Sequence, residues 1–378
     1  MKNTHDEDAI LDTDLELMDP IEIPILAKLS RDLKGGSKTL TAKLARFLVD
    51  RYYQIQHFRI NAQGQKRAVV QGVDDGGTHE VISFFLGQFE TVEKQLKSAL
   101  GAYAAGQVPG QWMQSICGIA EVISAGMLAH VNIERAPHAG NVIRFAGLTN
   151  DEWLGADKAK ALVIDLENRA ENKHDLDELM RMAEVYLRRA PGSLMNMMLG
   201  VFGDEEEKEE EFKPTRDLLI KTLSLRPWNA DLKCLAVFKL GESFVKVQNR
   251  PKDYYGKKLI WRKTMYAEAN AQGKFSKDAE KILSEKRIGK STDAYAAYSV
   301  GMLPKGHVHA RARRWAVKLF ISHLHEVMFF SHYGRLPALP YALDILGHVD
   351  FEPPPNMAKV PGLREAYEQN PQRRIYLK

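Results

Sequence analysis

Cysteine is nearly absent from this chain. Of 378 residues only Cys117 and Cys234 carry a thiol, and they form no CxxC pair, so neither a disulfide framework nor a four-cysteine zinc site can be built. A reducing, cytoplasmic setting is expected. Long apolar runs are lacking too. No stretch reaches the roughly 18 uninterrupted apolar residues of a membrane span, and no membrane partner is expected. The first residues, MKNTHDEDAILDTDLELMD, are acidic, whereas a secretory leader opens with basic residues and an apolar core. Outside that tail and the run DEEEKEEE there is no carboxylate cluster to hold a nuclease's metal pair, and no Gly-rich P-loop occurs. No catalytic residue, cofactor or metal site is therefore expected. Five histidines lie between His307 and His332, but Arg311 and Arg314 place His307 in a positive field hostile to Zn²⁺. His309 and His323 fall toward the apolar side of a helical projection and read as core or RNA-contacting groups.

What is present is a chain of 44% hydrophobic residues, enough to bury a core, with an uneven distribution of charge. Residues 1–212 hold 23 Lys+Arg against 34 Asp+Glu, and residues 213–378 hold 30 against 15, a balance of −11 and then +15. A basic half of that size is the electrostatic footprint of a polyanion binder, and nucleic acid is the expected polyanion. The competing reading is a docking surface for the chain's own acidic half.

Hydrophobic periodicity predicts a mainly α protein. Residues 1–20 read as a disordered acidic tail. Within 21–110, a helical run from Leu40 to about Gln71 and another from about Thr78 to Tyr103 flank Asp74-Asp75-Gly76-Gly77, predicting a long antiparallel helical hairpin and a possible dimerisation arm. Residues 111–155 contain a helix, a turn through Gly118 and a second helix from Glu121 to His130, a helix-hairpin-helix pattern whose backbone N–H groups can meet a phosphate. Gly118, Ile119 and Arg144 are the candidate contacts to DNA or a phosphate backbone. Residues 156–222 read as a helical acidic insert containing Met195, Met197 and Met198 as core or gap filler. Residues 223–335 form the basic part, helical from Leu225 to about Met265, followed by a breaker-rich link and a last long helix. Residues 336–378 read as an irregular tail.

Candidate RNA contacts concentrate in the basic part. Arg226-Pro227-Trp228-Asn229 precedes a helix that Asn229 is placed to cap, along which Lys233, Lys239 and Lys246 project. Arg250, Lys252, Lys257, Lys258, Arg262 and Lys263 then alternate with Tyr254, Tyr255 and Trp261, and cations between flat rings suit phosphates beside bases. Wound as one helix, KGHVHARARRWAVKLFISHLHEVMFFSHYGR puts His307, Arg311, Arg314, Lys318, Ser322, His325 and His332 on one side. Ala312, Ala316, Leu319, Phe320, Val327 and Phe330 fall opposite, with Trp315 at the edge.

Three short patterns carry a family resemblance. Ile116-x-Gly118-Ile119, Ala139 to Phe145-Ala146-Gly147-Leu148, and Asn229-x-x-Leu232-Lys233 resemble the C-terminal helical region of insertion-sequence transposases guided by bridge RNA. Asn229 to Arg262, with Lys239 and Tyr255-Gly256-x-x-Leu259, is similar to the Nop domain of box C/D ribonucleoproteins. The similarity covers roughly residues 80–150 and 223–330 and extends to the Tas proteins of TIGR-Tas systems, in which a Nop-like protein uses guide RNA to bind DNA. It implies a Nop-like helical nucleic-acid-binding domain, a guide RNA and a target DNA as partners, a homodimer, and a nuclease supplied, if at all, in trans. The acidic tetrad of the transposases' RuvC-like domain has no counterpart in residues 1–77. For their nucleophilic serine only Ser193 and Ser224 are available, neither in a Ser/Gly-rich context. The expectation is thus an RNA-guided DNA-binding protein of the nuclease-free Tas kind. A bridge-RNA-type transposase relative and a structural Nop-like RNA-binding subunit are the alternatives.

Overall fold

The computed structural model describes residues 28–70, 80–149, 153–187, 189, 191–202, 213–339 and 351–377. The acidic tail at 1–20, the Asp74–Gly77 turn and the DEEEKEEE run lie outside these residues. Among the described residues the chain is mainly α, with no strand.

Helix α1 spans Arg31–Gly36, with Ser30 accepting the Leu33 N–H as its N-cap. Two long helices, α2 (Ala42–Val70) and α3 (Glu80–Ala105), pack antiparallel. Tyr52, Gln56 and Arg59 of α2 all reach Glu93 of α3, Arg59 at 2.5 Å, and Phe58 stacks on Phe89 with ring centroids 5.8 Å apart. Phe89 in turn stacks on Phe85. Phe47, Phe58, Phe84 and Phe85 remain exposed, so the pair keeps an apolar flank after its internal face is buried.

Next come α4 (Val108–Gln114), α5 (Glu121–His130) and α6 (Ala139–Phe145). Helix α5 is almost entirely buried and, with α4, places Trp112, Met113, Met127 and Leu128 in the main core. Helices α7 (Gly155–Arg169), α8 (Leu176–Tyr186), α9 (Ser193–Phe202) and α10 (Arg216–Ser224) close an apolar cluster of their own, in which Leu162, Leu179, Leu194, Met198 and Leu219 are buried. Glu184 organises its centre by accepting the backbone N–H groups of Gly192 and Leu194.

Helix α11 (Ala230–Cys234) runs without a break through a π-helical turn, Leu235–Leu240, into α12 (Gly241–Val247). Helix α13 is Tyr255–Ala271, entered through Asp253, whose carboxylate accepts the Gly256 and Lys257 N–H groups. The segment read from the sequence as a breaker-rich link instead contains α14 (Ser276–Glu285) and α15 (Asp293–Ser299), which bury Ala279 and Tyr298 with Leu303 and Val308 in a small third cluster.

Helix α16 (Lys305–Tyr333) is the axis of the molecule. Pro304 precedes it, where a missing N–H costs nothing, and Gly334 ends it in the left-handed conformation, φ 67°. Its first half has one covered side, from Phe320 to Phe330 it is almost wholly enclosed, and its last turn is exposed again. Phe320 stacks on Trp112 at 5.9 Å and meets Phe244 and Tyr255 edge-on. Full burial of such a ring contributes on the order of 1.5–3 kcal/mol.

The C-terminal segment is not an irregular tail. It forms α17 (Leu363–Gln369) and buries Val360, Leu363 and Tyr367 against α16. Arg373, only 2% exposed, ion-pairs with Glu326 of α16 and donates to the Pro337 carbonyl at 2.8 Å, while the Tyr367 hydroxyl donates to the same carboxylate at 2.6 Å. A sequence pattern cannot show that an arginine near a chain end is the mate of a buried glutamate, so this region read as an irregular tail.

Candidate nucleic-acid interface

The exposed first half of α16 faces the start of α11. Asn229 accepts the Leu232 N–H at 2.7 Å as N-cap and donates its own N–H to the Phe145 carbonyl at 2.9 Å, which fixes α11 against the end of α6. The chain turns at Gly147 with φ 61°, where an added Cβ would lie 2.6 Å from the Trp228 ring, so glycine is required both by conformation and by space. Lys233 rests its ammonium 3.8 Å above that same Trp228 ring, and Arg226 lies 5.0 Å from Trp153. Two of the short patterns noted in the sequence, Phe145 to Leu148 and Asn229 to Lys233, thus meet in space.

These cations and those of α16 form one electrostatic neighbourhood. Burial, then the guanidiniums of Arg314 and Arg226, hold the Lys233 ammonium below its ordinary pKa. Burial, then Arg314 and Arg311, does the same to Lys318, and His307 is depressed by burial, then Arg314 and Arg311. No carboxylate among the described residues pairs with Arg226, Lys233, Arg314 or Lys318. Arg311 differs, being held by Asp278 at 2.7 Å. His307 Nδ1 is 3.1 Å from the Tyr298 hydroxyl.

Helices α13 and α16 run antiparallel and interleave arginines with rings. The Arg311 guanidinium lies 4.4 Å from the Phe275 ring and 5.5 Å from Tyr266. Arg262 lies 4.6 Å from Tyr266 and 5.0 Å from Trp315, and Trp315 meets Trp261 at 5.7 Å. Arg262 has its Nε buried without a hydrogen-bond partner and no carboxylate beside it among the described residues. Stacking rather than ion pairing positions this guanidinium.

Other residues proposed from the sequence lie elsewhere. Lys239 points back to α2, 4.1 Å above the Tyr53 ring. Lys246 is exposed on the last turn of α12, Lys263 is exposed on α13, and Arg144 is exposed on α6. His325 is a correction: it is 3% exposed and its Nε2 lies 2.7 Å from the Ala136 carbonyl, so it is a core histidine and cannot touch RNA. His323 is likewise buried, between the Tyr255 hydroxyl and the Glu352 carbonyl. The Gly118–Ile119 turn is a second correction. The Gly118 carbonyl accepts the Ser243 hydroxyl, Ile119 is buried with its N–H given to Ile116, and α5 opens on the carboxylate of Glu121. The turn is a packing joint against α12, where an added Cβ at Gly118 would meet Ser243 and Val247 at 3.0 Å.

Sequence reading missed Tyr266 and Phe275 as partners of the two arginines, and Lys286 as a further charge near His307. A signal was present: no Asp or Glu occurs between Asp293 and Glu326, so the exposed half of α16 carries no internal counter-charge. Among the described residues no cluster of His, Cys, Asp and Glu is arranged to hold a metal ion, and no helix is long and apolar enough to cross a membrane. No protein-family model, curated protein or solved structure matches the chain.

Proposed function

We propose that this chain holds a short structured guide RNA as a homodimeric ribonucleoprotein and through it engages a DNA target, with any nuclease supplied in trans. The observation that carries the RNA-binding part is the group of cations where the start of α11 meets the first half of α16, with no carboxylate partner among the described residues: Arg226, Lys233, Arg314 and Lys318, with His307 beside them. Holding like charges together costs free energy, and a phosphate chain lowers that cost while releasing its counterions. The guide, the DNA target and the two-copy assembly rest on the resemblance to Nop-domain and Tas proteins. The exposed phenylalanines of α2 and α3 are in keeping with a second copy. A serine transposase receives less support, because the Ser193 hydroxyl donates to Glu184 and that of Ser224 to the Lys221 carbonyl, so each serine is engaged in a structural hydrogen bond.

Sequencing the nucleic acid that co-purifies with the protein tests the guide, and a discrete recurrent short RNA is the expected result. Random cellular fragments would sink it. The site is tested by charge reversal. Arg314→Glu should weaken RNA binding and lower the salt-dependence slope by about 1 or more. Arg311→Glu should do less, because Arg311 is already engaged by Asp278. Unchanged affinity in Arg314→Glu would show that this face is only a solvated surface.

A further inference from the structure

The cation group just described accounts for phosphates, but it leaves the stack between α13 and α16 without a purpose. That stack is continuous: Phe275, Arg311, Tyr266, Arg262, Trp315 and Trp261 follow one another in contact. Its inner end at Phe275 packs in the third apolar cluster. Its outer end is open in part, since Trp261, though against Trp315, is 45% exposed. The rim of that indole is cationic. Lys257 and Lys258 lie one helical turn before it, Arg262 and Lys263 follow it, and Lys258 is 6.0 Å from the ring while ion-paired with Glu352. A ring braced by Trp315, tilted 54° to it, partly open to solvent and fringed by positive charge complements a flat π-system carrying a negative backbone.

We infer that Trp261 is a stacking platform for one unpaired base of the bound RNA, with the arginine–aromatic stack beneath it as its support. The inference rests on the RNA-binding reading and deepens it by dividing the interface. Arg226, Lys233, Arg314 and Lys318 neutralise phosphates, and Trp261 takes a base face. Arg262 is the positioning residue. Its guanidinium, with no acid partner among the described residues, is lodged between Trp315 and Tyr266 and joins the two rings.

The two contributions separate with two probes of equal charge: a labelled oligoadenylate and an abasic ribose-phosphate chain of the same length. By fluorescence anisotropy the wild-type protein should prefer the oligoadenylate by about five- to a hundredfold, the factor that one aromatic–base stack supplies. Trp261→Ala should lose that preference while leaving affinity for the abasic chain unchanged, and Trp261→Phe should keep most of it. Arg314→Glu should weaken both probes equally. A preference that persists in Trp261→Ala overturns the inference, as does wild-type binding to both probes with equal affinity. That second result leaves the RNA-binding reading standing. Absence of salt-dependent binding to either probe overturns both readings. Trp261 is half exposed, so an unchanged thermal melt is expected of the alanine variant, and the Phe variant carries the test if that melt shifts.

Discussion

Replacing Arg373 by methionine should remove about 3–5 kcal/mol of folding stability, the usual result of leaving one member of a buried ion pair alone. Glu326 and Arg373 are 4% and 2% exposed, and the arginine also satisfies the Pro337 carbonyl and stacks within 5.3 Å of both Phe351 and Tyr367. Methionine keeps much of the apolar volume but none of the donors. Against a typical total of roughly 5–15 kcal/mol this is a large fraction. Burial raises the Glu326 carboxyl above its ordinary pKa, and Arg373 is the leading influence opposing that rise. An acid whose folded pKa is raised binds its proton more readily in the native state, so its contribution to stability falls as pH climbs from the ordinary carboxylate range through the folded value. Removing Arg373 raises the folded value further. The deficit of Arg373→Met should therefore be greatest at neutral pH and shrink toward pH ~4, the unfolded carboxylate value. Urea unfolding across that range measures it. A double Glu326→Leu/Arg373→Met variant should recover most of the loss, because an apolar pair of similar volume carries no stranded charge. A loss below about 1 kcal/mol at neutral pH, within the range of an exposed ion pair, would refute the reasoning.

Three further outcomes are expected. His323 has its pKa depressed to about 4, first by burial; the Glu352 carbonyl can only accept, so Nε2 carries the proton and Nδ1 accepts from Tyr255. A depressed imidazole favours the folded state above its unfolded pKa and loses that contribution as pH falls from ~6.5 to ~4, and an NMR titration should find its ring neutral at pH ~5. Gly147→Val must push Trp228 aside and adopt a positive φ, costing on the order of 1–3 kcal/mol and weakening RNA binding through displacement of Lys233; an unchanged melting curve would contradict this. If two copies associate as proposed, light scattering should give a dimer mass for the wild type and a monomer mass for Phe58→Asp with Phe85→Asp, both positions lying on the exposed flank of α2 and α3; a dimer mass unaltered in the variant would remove that flank as the contact, and a wild-type monomer would remove the two-copy proposal.

The long elements were legible because their signal is local. Periodicity placed α2, α3 and α16 within a few residues, and α5 at Glu121–His130. The short helices α14, α15 and α17 were not legible. Each is ten residues or fewer and buries side chains against distant partners, as when Tyr367 of α17 donates to Glu326 of α16. The site was legible in part for a related reason. A helical projection separates two faces and assumes that one of them meets water throughout. It placed Arg314 and Lys318 correctly on the open side of α16, but it put His325 with them because nothing local reveals a carbonyl 189 residues away. Arg262 and Trp261 were recognisable as an alternation of charge and ring. That they join Tyr266 and Trp315 in one stack depends on the antiparallel packing of α13 against α16.

Helix α16 is anchored in the core by one half and presents its cations on the other. The backbone beneath Arg314 and Lys318 is therefore already ordered before any ligand arrives, and association need not spend the roughly 1–2 kcal/mol per residue that a disordered basic arm must surrender on binding. Long-range attraction then meets a surface that requires little rearrangement. Encounter should be fast and steeply dependent on ionic strength, whereas the lifetime of the complex is governed by short-range contacts such as the one inferred at Trp261.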